Sequence, residues 1–277
     1  MIRRLGVLGA VLAGVALSGQ APAPAAVELW RLDCGSVAVN DLDRFSDTRA
    51  YVGQSKRLTA SCYLIRNGNR YLLWDTGLPA AMKGAAIDPK APMSPTLTAT
   101  LVEQLAMLGV RPAQITMVGI SHHHFDHIGQ AAAFPAATLM IGKGDLDALK
   151  AGAPGTDARP LARWITGGGT VDAVTGDKDV FGDGSVTMLD LPGHTPGHHG
   201  LLVKLAGMGP VLLTGDAAHF QENYDSDGVP GFNTDRADTL ASLARFKAIA
   251  RNLKATVIIQ HDARDVGKLP AFPKGAR

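Results

Sequence analysis

Seven residues, Ser121 to His127, read Ser-His-His-His-Phe-Asp-His, and they constrain this chain more than any other stretch. They follow an apolar run, Ile115 to Ile120, that is short and β-branched enough for a buried strand. His122, His124, Asp126 and His127 form an H-x-H-x-D-H pattern of imidazoles and a carboxylate, the side chains that bind first-row divalent metals. Four such groups within six residues crowd a single ion. Alternation on a loop leaving a strand predicts that His122 and His124 face one metal while Asp126 and His127 face a neighbour. A solvated polar loop explains the pattern poorly, because all nine histidines lie between 122 and 261.

Other apolar runs end on the remaining candidates. Val186 to Leu191 runs into Pro192-Gly193-His194-Thr195-Pro196-Gly197-His198-His199, and Val211 to Thr214 stops at Gly215-Asp216. Thr256 to Ile259 precedes His261. Loops carried on a rigid sheet are where sites are built. Asn67-Gly68-Asn69 predicts a hairpin between Thr59–Ile65 and Tyr71–Trp74. Val27 to Asp33 predicts a strand, with a polar loop through Ser55 and another loop over Leu78 to Pro95. Helices are expected over about Pro95–Leu108 and Thr234–Leu253, the latter with Leu240, Leu243, Phe246, Ile249 and Leu253 along one stripe. Strands in runs separated by helices suit two sheets covered by helices.

Composition narrows what lies outside the site. Met1 to Arg4 is basic, Leu5 to Ser18 apolar, and Ala21-Pro22-Ala23-Pro24-Ala25 small, the arrangement of a signal peptide cleaved after Ala25. The apolar stretch is too short for a permanent span, so no stable membrane anchor is expected after cleavage. Residues 26–277 then form one domain in the periplasm or outside the cell. Without Arg3 and Arg4 the chain has 25 basic and 25 acidic residues, a balance that calls for no nucleic acid. Cys34 and Cys62 sit in or beside two expected strands, where a disulfide and two buried thiols both remain open.

The ordered series His122, His124, Asp126, His127, His194, Asp216, His261, with Asp75 in a Trp-Asp-Thr-Gly turn, resembles the metallo-β-lactamase superfamily over nearly the whole mature chain. That resemblance implies an α/β fold, an αββα sandwich with metals at one edge. The L-x-C-G-x-x-x-V-x-D opening (Leu32, Cys34, Gly35, Val39, Asp41), H-F-D-H-x-G and P-G-H-T-P-G-H are most similar to the N-acyl-homoserine lactonases. By that resemblance His122, His124 and His194 hold one zinc ion, Asp126, His127 and His261 a second, and Asp216 bridges them. Hydroxide generated there opens a small-molecule lactone. Asp126 and His219 are then the candidates for a direct part in catalysis, His219 standing where many such lactonases carry a tyrosine. A flavodiiron-type oxidoreductase shares the fold but expects a carboxylate at His124. The same ligand series would also serve a β-lactamase, a thioesterase or a protein that binds zinc without turnover. Phe125, Met82 and Met93 face either an acyl chain or the core. His123, His198, His199 and Asp75 support the ligands or simply pack.

Overall fold

The structure is a computed structural model, which describes Ile2 and residues 27–277. The proposed signal peptide lies outside the described residues. Period-2 alternation organises the middle of the molecule. On β2 (Lys56–Asn67), Leu64 joins one core cluster while its neighbours Tyr63 and Ile65 join another. β2 pairs with β1 (Val27–Val39) and with β3 (Arg70–Trp74), the latter through a tight turn at Gly68, whose φ is +63°. β4 (Met93–Thr96), β5 (Met117–Ile120), β6 (Thr138–Gly142) and β7 (Val171–Val174) complete a seven-stranded sheet, ordered β4-β1-β2-β3-β5-β6-β7.

The second sheet has five strands, β8 (Lys178–Asp179), β9 (Val186–Asp190), β10 (His199–Leu205), β11 (Gly209–Leu213) and β12 (Thr256–Ile258), ordered β12-β11-β10-β9-β8. Leu201 and Val203 of β10 meet Tyr63, Leu72 and Trp74 between the sheets, whereas Leu202 faces outward. Helices α1 (Leu101–Met107), α2 (Phe125–Ile128), α3 (Lys143–Ala151) and α4 (Ala162–Ile165) precede the second sheet; α5 (Gln221–Ser226) and α6 (Arg236–Leu253) follow β11. Leu101, Leu105, Leu146 and Trp164 cover the first sheet, and Phe246 and Ala250 of α6 cover Leu202 and Leu212 of the second. The layers are αββα, as the resemblance implied. Each large apolar side chain buried in them contributes about 1.5–3 kcal/mol.

Several boundaries differ from those read in the sequence. β1 runs on into the expected polar loop because Gly35, at φ +107°, accommodates a register shift between Asp33 and Ser36. The Leu78–Pro95 stretch is not all loop: Met93 to Thr96 pairs along the edge with β1. Pro95 is therefore in a strand, and α1 starts only after Thr100, where Thr100 and Glu103 form a capping box. On α6 the buried face is Thr239, Ser242, Leu243, Phe246 and Ala250; Leu253 of the expected stripe is 39% exposed. Cys34 and Cys62 form a disulfide between β1 and β2.

Candidate metal centre

All seven candidate ligands gather at the edge where the two sheets meet. His122 stands two residues past the end of β5, after Ser121, and His124 caps α2 in extended backbone (φ −69°, ψ 154°). Asp126 and His127 lie on the helical turn that begins there, so helix geometry, rather than alternation along a loop, swings them to a different side. His194, Asp216 and His261 come from the loops after β9, β11 and β12. One cluster holds His122, His124, His194 and Asp216, the other Asp126, His127 and His261.

In the first cluster, His122 Nε2, His194 Nε2 and His124 Nδ1 lie 2.9–3.1 Å from one another. In the second, His127 Nε2 and His261 Nε2 are 3.1 Å apart, with Asp126 Oδ2 4.0 and 3.8 Å from them. Asp216 divides its oxygens between the two. Oδ2 is 3.5 Å from His122 Nε2 and 3.3 Å from His194 Nε2. Oδ1 is 3.3 Å from His127 Nε2 and 3.0 Å from His261 Nε2.

The outward nitrogens decide where the protons are. His127 Nδ1 donates to Asp75 Oδ2 (2.9 Å) and His261 Nδ1 to the Thr59 carbonyl (2.6 Å). His194 Nδ1 donates to Asn233 Oδ1 (2.8 Å), an orientation fixed because the Asn233 amide nitrogen faces Thr239 Oγ1. A neutral imidazole that donates from Nδ1 turns a lone pair inward on Nε2. His127 and His261 thus turn their Nε2 atoms toward each other, and the buried Asp216 Oδ1 makes no hydrogen bond. Burial would lower both imidazoles, but Asp216 and the neighbouring carboxylates outweigh it and hold His127 well above, and His261 above, the usual imidazole range, so the metal-free cluster keeps protons that an ion would displace. Imidazole and carboxylate groups converging in this way suit a borderline divalent ion, which binds by displacing their protons. Burial and the neighbouring histidines hold His122 and His124 well below the usual imidazole range, which favours the unprotonated form a metal needs. Burial alone would raise the Asp216 carboxyl, but His261, His219, His127 and His122 outweigh it and hold it ionised. The residues fit a dinuclear metal centre.

The supporting residues fall into place around this set. Asp75, at φ +59° in its turn, accepts from Ser121 N, Ser121 Oγ, His127 Nδ1 and Gln260 Nε2. His198 donates to the Leu191 carbonyl (2.9 Å) and accepts the backbone N–H of Asp216 (2.8 Å), with burial pushing its pKa down to about 3. The His199 ring reaches the carbonyls of Gly197 and Gly176, and His123 turns back toward Asp145. His219 Nε2 lies 3.0 Å from Asp216 Oδ2, its ring stacked on His261 and edge-on to Phe45, while its buried Nδ1 has no partner. A cavity of about 190 Å³ opens on the ligands, lined by Val37, Phe45, Leu58, Met93, Phe125 and Phe232 beside His219. Met82 does not line it, because it lies on the short turn whose backbone is bonded to Leu97. Nothing in the sequence pattern singles out Asn233, Phe45 or Phe232: Phe45 ends a single 3-10 turn, Asn233 and Phe232 lie in an irregular loop, and none belongs to a periodic run.

A family model of the metallo-beta-lactamase superfamily matches residues 56–261. The chain belongs to this superfamily. Among curated relatives, N-acyl homoserine lactonase AttM of Rhizobium radiobacter is 35% identical over 171 residues, 58% of this chain. The match spans 63% of that relative's length. An N-acyl homoserine lactonase of Bacillus cereus is 29% identical over 241 residues, 84% of this chain and 93% of its own. Among solved structures, a quorum-quenching N-acyl homoserine lactone hydrolase superposes with a TM-score of 0.78 at 25% identity. The alignment covers 91% of this chain and 98% of that one.

Proposed function

We propose that the chain is a dinuclear zinc hydrolase that opens the lactone ring of N-acyl-homoserine lactones. The observation that carries this reading is an apolar cavity ending on seven His and Asp side chains whose candidate ligand atoms converge in two clusters. The relatives and the solved structure, all lactonases by name, support the substrate class. His122, His124 and His194 would hold one zinc ion and Asp126, His127 and His261 the other. Asp216, with one oxygen toward each cluster, is shared. Zinc bound there supplies a Lewis acid for the lactone carbonyl and lowers the pKa of a water to near neutrality.

The protein's own groups do the rest. Phe45, Phe125, Phe232 and Met93 receive the acyl chain and keep water from it. Asp126 lines the cavity, so its carboxylate is placed to take the proton of the attacking water and return it to the departing alkoxide. Burial pushes His219 down to about 4, which leaves it neutral near pH 7. With Nε2–H directed at Asp216 Oδ2, it steadies the shared carboxylate beside the cavity.

The N-terminal segment supports cleavage after Ala25 and a periplasmic or secreted location, and the Cys34–Cys62 disulfide suits an oxidising compartment. Neither a nucleic-acid partner nor a membrane anchor on the mature chain is part of this reading. The test is a panel of acyl-homoserine lactones, β-lactams and thioesters on the zinc-loaded mature protein. Lactone turnover should consume one base equivalent and give a ring-opened acid that closes again in acid. Release of a free fatty acid would make the enzyme an amidase.

A further inference from the structure

The carboxylate of Asp145 is fully buried, belongs to neither metal cluster and takes no part in the chemistry above. It lies in the first turn of α3, beneath the two loops that carry one cluster. Oδ2 accepts the backbone N–H of His123 (3.0 Å) and the hydroxyl of Thr195 (2.9 Å). Oδ1 accepts the backbone N–H of Gly197 (2.7 Å). His123 also turns its ring to this carboxylate, with Nδ1 3.2 Å from Oδ2. The residue between ligands His122 and His124 is therefore tied to residues one and three places beyond ligand His194.

Close packing makes the tie rigid. A Cβ at Gly142 would collide with the carbonyl of Gly197, and one at Gly197 with the backbone nitrogen of Asp145. A Cβ at Gly144 would stand 2.6 Å from the Pro196 carbonyl. One further backbone bond, His199 N–H to the Ser121 carbonyl (2.8 Å), joins the same two loops. Three donors meeting on one side chain call for a group that only accepts, and an ionised carboxylate is the one such side chain. The second cluster is braced elsewhere, His127 by Asp75 and His261 by Thr59.

We infer that Asp145 is the positioning residue of the His122–His124–His194 metal site, holding two ligand-bearing loops at the separation one ion requires. The inference rests on the dinuclear reading above. Outer partners of metal ligands commonly change metal affinity 10–100-fold when removed. Here the partner acts through the loop backbones, and on one site of two.

The experiment is zinc titration of metal-free full-length protein by chelator competition, with wild type, Asp145→Asn and Thr195→Val. Asp145→Asn should stay folded by circular dichroism and keep one ion at wild-type affinity, while the other binds roughly 10–100-fold more weakly. Its singly loaded cobalt(II) form should share the absorption spectrum of His124→Ala, which loses the same site, and differ from that of His261→Ala. Thr195→Val removes one donor and keeps the carboxylate, so it should weaken the same ion to a lesser degree. It also decides the matter should Asp145→Asn not fold. Two ions bound at wild-type affinity in Asp145→Asn, or in Thr195→Val if that is the variant that folds, would overturn the inference. So would equal weakening of both ions, because Asp145 would then serve the fold alone. Failure of the dinuclear reading looks different, since wild type itself would then take up fewer than two ions.

Discussion

Breaking the Cys34–Cys62 bond is the perturbation whose size follows most directly from the structure. The cystine closes a loop of sequence separation 28 and ties β1 to β2. Chain-entropy cost for a loop of that length gives about 3.6 kcal/mol of stabilisation. Both residues are fully buried, and Gly77 packs so closely on Cys34 that no Cβ would fit between them. The double variant Cys34→Ala/Cys62→Ala therefore adds a small cavity term to the lost cross-link. For a domain of this size 1 kcal/mol moves Tm by about 2–4 °C, so the variant should melt roughly 7–14 °C below wild type. Thermal unfolding should be followed on metal-free protein, because bound ions would add their own stabilisation. Reductant should lower the wild-type midpoint toward that of the variant and leave the variant unmoved. A wild-type midpoint that reductant does not change would refute the reasoning.

Purified wild type should carry about two zinc ions per chain, and His124→Ala should lose metal and activity together; an active wild type with one ion would overturn the dinuclear centre. His219→Ala should keep both ions and lose roughly ten- to a hundredfold in kcat/KM, about 1.4–2.7 kcal/mol, with partial recovery in His219→Tyr. Unchanged kinetics in the alanine variant would make His219 a bystander. Burial would raise the Asp262 carboxyl, but Arg264 and the N–H groups of Gln221 and Arg264 outweigh it and hold it down to about 2. Its folded pKa is depressed, so its contribution is complete above the unfolded value of about 3.9 and disappears as pH falls toward 2. The urea midpoint of wild type should exceed that of Asp262→Asn at pH 5 and approach it near pH 2; a gap independent of pH would exclude the ion pair as its cause.

The ligand set was legible because its chemistry is carried by residue type and order: histidines and aspartates stand at the ends of apolar runs, and those runs are strands. Alternation along a loop separates Asp126 and His127 from His122 and His124, and the structure also sets them in different clusters, but a helical turn delivers them there. Gly35 explains why β1 outruns its apolar pattern: a bulge lets a strand continue through polar residues that break the alternation. Met93 to Thr96 contains a proline and few apolar residues, and becomes a strand only because β1 offers it an edge. Asn233 and Asp145 could not be found in the sequence, because what each does depends on contacts with loops 39 and 22 residues away.

Each metal cluster straddles the joint between the sheets. His122, His124 and His127 come off the seven-stranded sheet, whereas His194, Asp216 and His261 come off the five-stranded one. His127 and His261 meet across that joint although 134 residues separate them in the chain. An ion at either cluster is therefore a rivet through two layers, and its binding free energy opposes their parting. Without ions the seam keeps the contacts of Asp216 with His122 and His127 across it. Because neither cluster is complete until both sheets have docked, the full ligand set of either site is a property of the folded sandwich alone.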